Sequence, residues 1–477
     1  MKHFRMILLL MPVCLLSACS SHVLPQPLSL NPKNQHYFLF RGKPAILIGS
    51  TEHYGAVMNM DFDYMAYLNE VSASGLNLTR TFSGAYVEPA EAFGIKKNTM
   101  APAPERFICP WVRSKEPGYM NGGNKFDLSE WDEAYFSRLK NFVEEAGKRN
   151  IVVELDLFSN YYDTVQWKLS PLNVLNNINR VGDFKDHKEV LSLKHTDLLN
   201  VQELMVRKIV HELKDFDNLY YEVCNEPYFG DTLALREWEG HMTVVVVEAE
   251  KDFTHKHLIS NNVANNHKLV MEPRNGVSIY NFHYARPPVT VDMNYHLNSV
   301  IGDNETGFDG IDESKYRAEA WDFILAGGGL FDHLDYSFTT DTENGSGSIE
   351  EGQPGGGGKS LRNQFRILAE FMKSLDYVSM KPLNSSKIRL VDQQGATVRG
   401  LVHPDNLMAL YLHRINNGSA ASVMEIELRA GSYNMIFTDT RNGNQTVTSV
   451  TSKKNGWITI TTPAYNEDLA LKIIESD

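Results

Sequence analysis

Cysteine is scarce in this chain: Cys14, Cys19, Cys109 and Cys224 are the only four among 477 residues. So few thiols, so widely spaced, exclude a small disulfide-stapled scaffold. Basic charge is also in deficit, with 46 Lys and Arg against 59 Asp and Glu and a formal net charge of −13, and no long Lys/Arg tract interrupts that balance. Nucleic acid as the main partner and a polybasic membrane patch are both excluded. Internal repeats are absent, no Gly-rich dinucleotide fingerprint follows the first apolar strand pattern, and no His-Glu-x-x-His pair offers a zinc site. What is present is core-forming material. With 42% of residues hydrophobic and 10% aromatic, the chain has enough for a large folded unit.

Lys2 and Arg5 precede an apolar run over residues 6–16, which is too short to span a bilayer and has the layout of an export signal. It ends Leu16-Ser17-Ala18-Cys19, which resembles the lipobox of bacterial lipoproteins, where the Cys becomes the lipidated first residue of the mature chain. The resemblance implies a signal over 1–18, lipidation at Cys19 and a tether over 19–35. It places the protein in the cell envelope, lipid-anchored in the outer membrane and either periplasmic or surface-exposed. Cys109 and Cys224 then read as structural free thiols, since a bridge would need their Cα atoms close together.

Beyond the tether, short apolar strand patterns recur over residues 45–49, 76–81, 151–158, 219–224, 258–262, 277–283, 300–302 and 329–336. Helical patterns separate most of them; over residues 131–143 the apolar side chains return every three or four positions. Strands apolar on both faces and alternating with helices predict a parallel sheet, and eight such units predict a closed (β/α)8 TIM barrel over residues 36–383. After Lys381-Pro382-Leu383 the pattern changes to short alternating runs with turn signals at Asn417-Gly418 and Asn442-Gly443. The last part, 384–477, is expected to be a small antiparallel β-sandwich. The one low-complexity stretch, 345–358, reads as a flexible loop, with the segment 353–360 acting as a hinge or lid.

Reactive groups of such a barrel project from the C-terminal ends of its strands. The fourth strand ends Asn225-Glu226-Pro227 and the seventh leads into Asp303-Asn304-Glu305, which places two carboxylates at one face. Paired carboxylates suit glycoside hydrolysis, where one protonates the leaving oxygen while the other stays ionised beside the anomeric carbon. Arg80, closing the second strand, is the cation expected to keep one of them charged.

Gly75-x-Asn77-x-x-Arg80, Asn225-Glu226-Pro227, Phe282-His283-Tyr284 and Glu305, in that order, resemble glycoside hydrolase clan A, particularly family 5. The resemblance covers roughly residues 36–383 and implies a retaining mechanism with Glu226 as acid/base and Glu305 as nucleophile. It further implies that Asn225 binds the sugar 2-hydroxyl, that His283 contacts the acid/base or substrate and that Tyr284 orients Glu305. Phe158 stands where the family usually has a His, and Tyr336 where it has a Trp, so sugar specificity does not carry over.

Aromatic residues in the loops after strands two and three, Tyr86, Trp111, Tyr119, Tyr161, Tyr162 and Trp167, are candidates for stacking on sugar rings, Trp111 foremost. Tyr336 is a further substrate-binding candidate. No metal or cofactor is expected: the acidic run over 303–313 lacks the spacing of a calcium loop, and the segment 353–360 lacks the first Gly of a phosphate loop. The sequence therefore predicts a retaining β-glycoside hydrolase, acting within a β-linked polysaccharide such as β-glucan or mannan. The alternatives are exo-action on oligosaccharides and a carbohydrate-binding surface lipoprotein without catalysis.

Overall fold

The computed structural model describes residues 26–230, 232–391, 395–405, 407–414 and 418–476. The signal expected over 1–18, and Cys19, lie outside the described residues.

Eight parallel strands form one sheet: β1 (Leu47–Ile48), β2 (Leu78–Phe82), β3 (Val152–Ser159), β4 (Leu219–Asn225), β5 (Ile259–Asn265), β6 (Val277–His283), β7 (Val300–Glu305) and β8 (Leu330–Phe331). From β2 to β8 each strand ladders with the next, and β8 returns to β1, the strand succession of a TIM barrel. Only the β1–β2 seam has no ladder. Asn77 closes it: its backbone N–H donates to Ile48 O at 3.1 Å, its Oδ1 accepts from Ile48 N–H at 2.8 Å, and its Nδ2 donates to Ile46 O at 2.9 Å.

The helices follow from amphipathic stripes and local caps. In α2 (Glu133–Lys148), Asp132 caps the N-terminus by accepting from Ala134 and Tyr135 N–H, and Tyr135, Phe136, Leu139, Phe142, Val143 and Ala146 form the buried face. Such a cap contributes about 1 kcal/mol. α1 (Tyr64–Ala73), α4 (Thr196–Leu213), α5 (Thr232–Ala249), α7 (Glu313–Leu325) and α8 (Lys359–Lys373) complete the outer ring, with short α3 (Thr164–Leu169) and α6 (Val289–Asn294) set in loops. Cys109 and Cys224 are buried free thiols.

Inside the barrel the strands are not apolar throughout. The layer nearest their N-terminal ends is apolar: Leu47, Leu78, Val152, Tyr220, Ile279, Val300 and Leu330. Leu28 and Phe38 pack onto it from below, where Ser29–Leu30 pairs antiparallel with Phe38–Phe40. This corrects the tether expectation: from Leu28 onward the chain is a floor to the barrel, because the open end exposes apolar side chains that need a cover.

Strand boundaries also differ. β7 continues to Glu305, and β8 is regular only over Leu330–Phe331, beyond which the backbone pairs irregularly, through Asp332 N–H to Asp303 O and an isolated bridge between Thr51 and Leu334.

The C-terminal part has a six-stranded antiparallel sheet, in the order Lys381–Pro382, Ala396–Val402, Met408–Arg414, Asp468–Glu475, Gly431–Thr438 and Gln445–Ser452. A three-stranded sheet of Ile388–Leu390, Val423–Leu428 and Gly456–Thr461 accompanies it. Met408, Leu410, Met424, Ile426, Met435 and Leu471 fill the core between them. This unit docks on the barrel's flank, where buried Asp468 accepts from Arg317 Nε of α7 at 2.9 Å and from Tyr411 OH at 2.8 Å.

The glycine-rich stretch is a fixed strap, contrary to the expected flexible hinge. Gly310 N–H donates to Pro354 O and Tyr336 N–H to Gly356 O, and a Cβ on Gly355 would fall 1.7 Å from Gly307 O. Only glycine permits that approach.

Candidate active site

The strand ends carry the polar groups. Glu226 follows β4 with φ +51 and Tyr284 follows β6 with φ +53, left-handed conformations that cost a non-glycine residue about 1–2 kcal/mol. Both turns aim their side chains over the barrel mouth, where Glu305 ends β7. One carboxylate oxygen of Glu226, one of Glu305 and a ring nitrogen of His283 all lie within 4.8 Å of one another. That is the close spacing on which a retaining glycosidase depends, about 5–5.5 Å between carboxyl groups, rather than the wider gap of an inverting one.

The two carboxylates have different surroundings. Glu305 accepts from Arg80 Nη1 at 2.9 Å and Tyr284 OH at 2.7 Å, with His283 Nδ1 at 3.6 Å. Burial works against its charge, but His283, Arg80 and the Tyr284 hydroxyl outweigh burial and hold the carboxyl down at about 2. Glu226 has no guanidinium. It accepts from Tyr162 OH at 2.5 Å and Tyr228 OH at 3.0 Å, and His283 Nδ1 lies 3.0 Å away. Asn225 faces the same space, with its Oδ1 accepting from Arg80 Nη2 at 2.8 Å and its Nδ2 donating to Tyr162 OH.

Below this pair the middle layer of the barrel is a polar network, where most barrels carry branched apolar residues. Arg80, wholly buried, donates to both oxygens of Asp156 and to Glu222 Oε1, each at 2.9 Å, and its Nε lies 3.1 Å from Glu154. Asn281 and Asn304 Nδ2 complete the shell, each donating to Glu222. One cation does not balance so many carboxylates. Burial and the Glu222 charge raise Glu154 to about 8, and burial outweighs Arg80 to hold Asp156 well above the usual range. Glu226–His283–Glu305 and Glu154–Asp156–Glu222 both have donor spacings a metal could use. Arg80 already supplies positive charge to each set, through Glu305 in the first and through Asp156 and Glu222 in the second.

Above the carboxylates is a cavity of about 240 Å³, lined by His53, Tyr54, Phe82, Glu88, Tyr162, Asn225, Glu226, Tyr284 and Glu305, with Phe93, Phe229 and Phe308 on its walls. Arg80, Asn225, Glu226, His283, Tyr284 and Glu305 are thus brought together as expected. Trp111 is not among them: its ring is fully buried against Trp131 in the hairpin Trp111–Pro117/Asn124–Trp131, so it has no face to offer a sugar. Tyr119, Tyr161 and Trp167 are buried likewise and pack the loops onto the barrel. Tyr336 stands behind Phe308, at 6.2 Å between rings, and is not part of the cavity lining. Of the loop aromatics, Tyr162 is the one that lines it.

Sequence reasoning passed over His53, Glu88 and the three phenylalanines. A usable signal did exist for the buried network: Glu154 and Asp156 share one strand face two residues apart, and Glu222 precedes Glu226 by four, all inside apolar strands.

Residues 106–284 match the cellulase family, glycosyl hydrolase family 5. The chain is a glycoside hydrolase. The matched segment of the hydrolase contains Asn225, Glu226, His283 and Tyr284, while Arg80 and Glu305 lie outside it. No curated protein matches the hydrolase in sequence. Among solved structures, a glycoside hydrolase family 5 protein from Bacteroides vulgatus superimposes with a TM-score of 0.63 at 11% identity, over 94% of this chain and 93% of that one. A second structure, a glycoside hydrolase, gives 0.61 at 13% identity over 95% and 97%. At such identities the likeness establishes a shared fold.

Proposed function

We propose that the hydrolase belongs with family 5 of clan A and cleaves β-glycosidic bonds with retention of configuration, by double displacement. The observation that carries this reading is the close pair of carboxylates at the ends of β4 and β7, one tied to Arg80 and the other to phenol hydroxyls and His283. Glu305, kept ionised, attacks the anomeric carbon and forms a glycosyl ester while Glu226 gives its proton to the departing sugar oxygen. Glu226, now a carboxylate, takes a proton from water as that water attacks the anomeric carbon and releases Glu305. Asn225 holds the sugar 2-hydroxyl, and Tyr284 and Arg80 fix the plane of the nucleophile.

The substrate is a β-linked glycan. Internal cleavage of β-glucan or mannan is the reading the sequence favours, whereas removal of end sugars is favoured by the small cavity walled by Phe93, Phe229 and Phe308. Lipidation at Cys19, and with it attachment in the cell envelope, belongs to the same proposal and rests on the Leu16-Ser17-Ala18-Cys19 pattern.

Reducing-sugar release from β-glucan, mannan and xylan, and from their oligosaccharides, tests the reading against Glu226→Gln and Glu305→Gln. Hydrolysis by the parent chain and its loss in both variants supports it. Absence of hydrolysis, with glycan binding unchanged in the variants, overturns it in favour of a binding protein.

A further inference from the structure

Glu88 and His53 line the cavity but have no part in the double displacement. Glu88, on the loop after β2, is 5% exposed and is held from three sides: His53 Nε2 lies 3.0 Å from its Oε2, Asn98 Nδ2 donates to the same oxygen, and Tyr86 OH donates to Oε1 at 3.2 Å. Three polar partners fixing one buried carboxylate at a cavity wall amount to a built recognition group. Oε1 has a single donor and retains acceptor capacity. His53 Nδ1 is buried and finds no partner among the described residues, although its residue borders the same cavity. Burial opposes protonation of His53, but Glu88 and Glu305 outweigh it and raise its pKa.

Position decides what Glu88 can touch. The leaving sugar must lie over the proton donor Glu226, at β4, and the sugar that stays on Glu305 must extend the other way. The same cavity is lined by His53 and Tyr54 after β1 and by Phe82 and Glu88 at and after the end of β2, with Phe93 and Met100 also on its wall. A carboxylate that closes the far end of a sugar pocket accepts hydrogen bonds from ring hydroxyls, which a continuing chain would replace with a glycosidic link.

We infer that Glu88, held by His53, recognises free hydroxyls at the non-reducing end of the sugar retained on Glu305, so that the enzyme removes single end sugars from β-linked chains. This rests on the retaining-glycosidase reading above. Glu88 is a specificity determinant, and the bond it makes is lost when the recognised hydroxyl is removed.

The test uses the full chain with 4-nitrophenyl β-glycosides, their 4-deoxy and 6-deoxy analogues, and β-linked oligosaccharides labelled at the reducing end. Expected are stepwise release of monosaccharide from the unlabelled end, and an about 10- to 100-fold lower kcat/KM for one deoxy analogue, as loss of a charge-assisted hydrogen bond implies. In Glu88→Ala the parent glycoside falls by a similar factor and the deoxy analogue no longer differs from it. Glu88→Gln, which keeps the shape and one acceptor, shows the same loss of discrimination in smaller degree and guards against misfolding of the alanine variant. Internal cleavage of the labelled oligosaccharides, or unchanged discrimination in both variants, overturns the inference while leaving the hydrolase reading intact. Absence of hydrolysis across the whole panel overturns both.

Discussion

The Arg80 guanidinium donates to Glu305 Oε2 at 2.9 Å from a position with no solvent exposure. The cation of the buried network and the Glu305 carboxylate at the mouth are therefore one electrostatic unit, and Arg80 couples changes in the barrel interior to that carboxylate.

Arg80→Met leaves Asp156, Glu222 and Glu305 without their shared cation. Removal of one partner from such a buried set costs about 3–5 kcal/mol, because the remaining charges stay desolvated. Urea unfolding is expected to show that loss, and Arg80→Lys, which keeps the charge but lacks the fork, is expected to fall between the two.

In the proposed double displacement Glu226 acts on the leaving group, so its removal matters in proportion to how poorly that group leaves. Glu226→Ala is expected to lower kcat by about 10²- to 10⁴-fold on β-linked disaccharides and far less on glycosides with dinitrophenyl leaving groups. Added azide, which needs no general base, is expected to restore turnover of the activated substrate as a glycosyl azide with retained configuration. Glu305→Ala is expected to be slow on both classes.

The Tyr284 hydroxyl stabilises ionised Glu305, one of the contacts that hold its carboxyl near 2. Tyr284→Phe removes that contact, so the pKa of Glu305 rises and the acidic limb of the kcat/KM profile moves to higher pH. An unmoved acidic limb would assign that limb to another group.

Several carboxyls are shifted the opposite way. Burial raises Glu52, Glu239 and Glu319 to about 7, and burial with Glu222 raises Glu154 to about 8, from the ordinary glutamate value of 4.5. Above pH 4.5 the unfolded chain releases protons that the folded chain keeps, so stability falls as pH rises toward 8. Glu305 adds stability above pH 4.5 that disappears as pH falls toward 2. Thermal unfolding is thus expected to give its highest midpoint near pH 5, with the midpoint at pH 8 several degrees lower.

The eight-unit barrel was legible because apolar strands and amphipathic helices alternate, and the strand-end pair Glu226 and Glu305 was legible because that fold has one reactive face. The polar interior was not. Glu154, Asp156 and Glu222 sit singly among Val, Leu and Tyr, and a strand read only for mean apolarity conceals which face each charge takes. Trp111 misled for a different reason: an indole in a long loop is as useful for anchoring that loop as for binding a sugar, and its stacking on Trp131 depends on a hairpin whose register bulges at Trp111 itself. His53 and Glu88 belong to loops after different strands, and only closure of the barrel brings them within hydrogen-bond distance.

The floor formed by Leu28 and its neighbours sets an orientation. The chain enters the barrel at the end opposite Glu226 and Glu305, where Leu28 N–H is bonded to Asp217 O at 2.8 Å. Anything holding the protein by residues upstream of Leu28 holds it by its base. The mouth lies at the far end of the barrel, so a support joined at the base would leave the approach of a glycan to Glu305 clear.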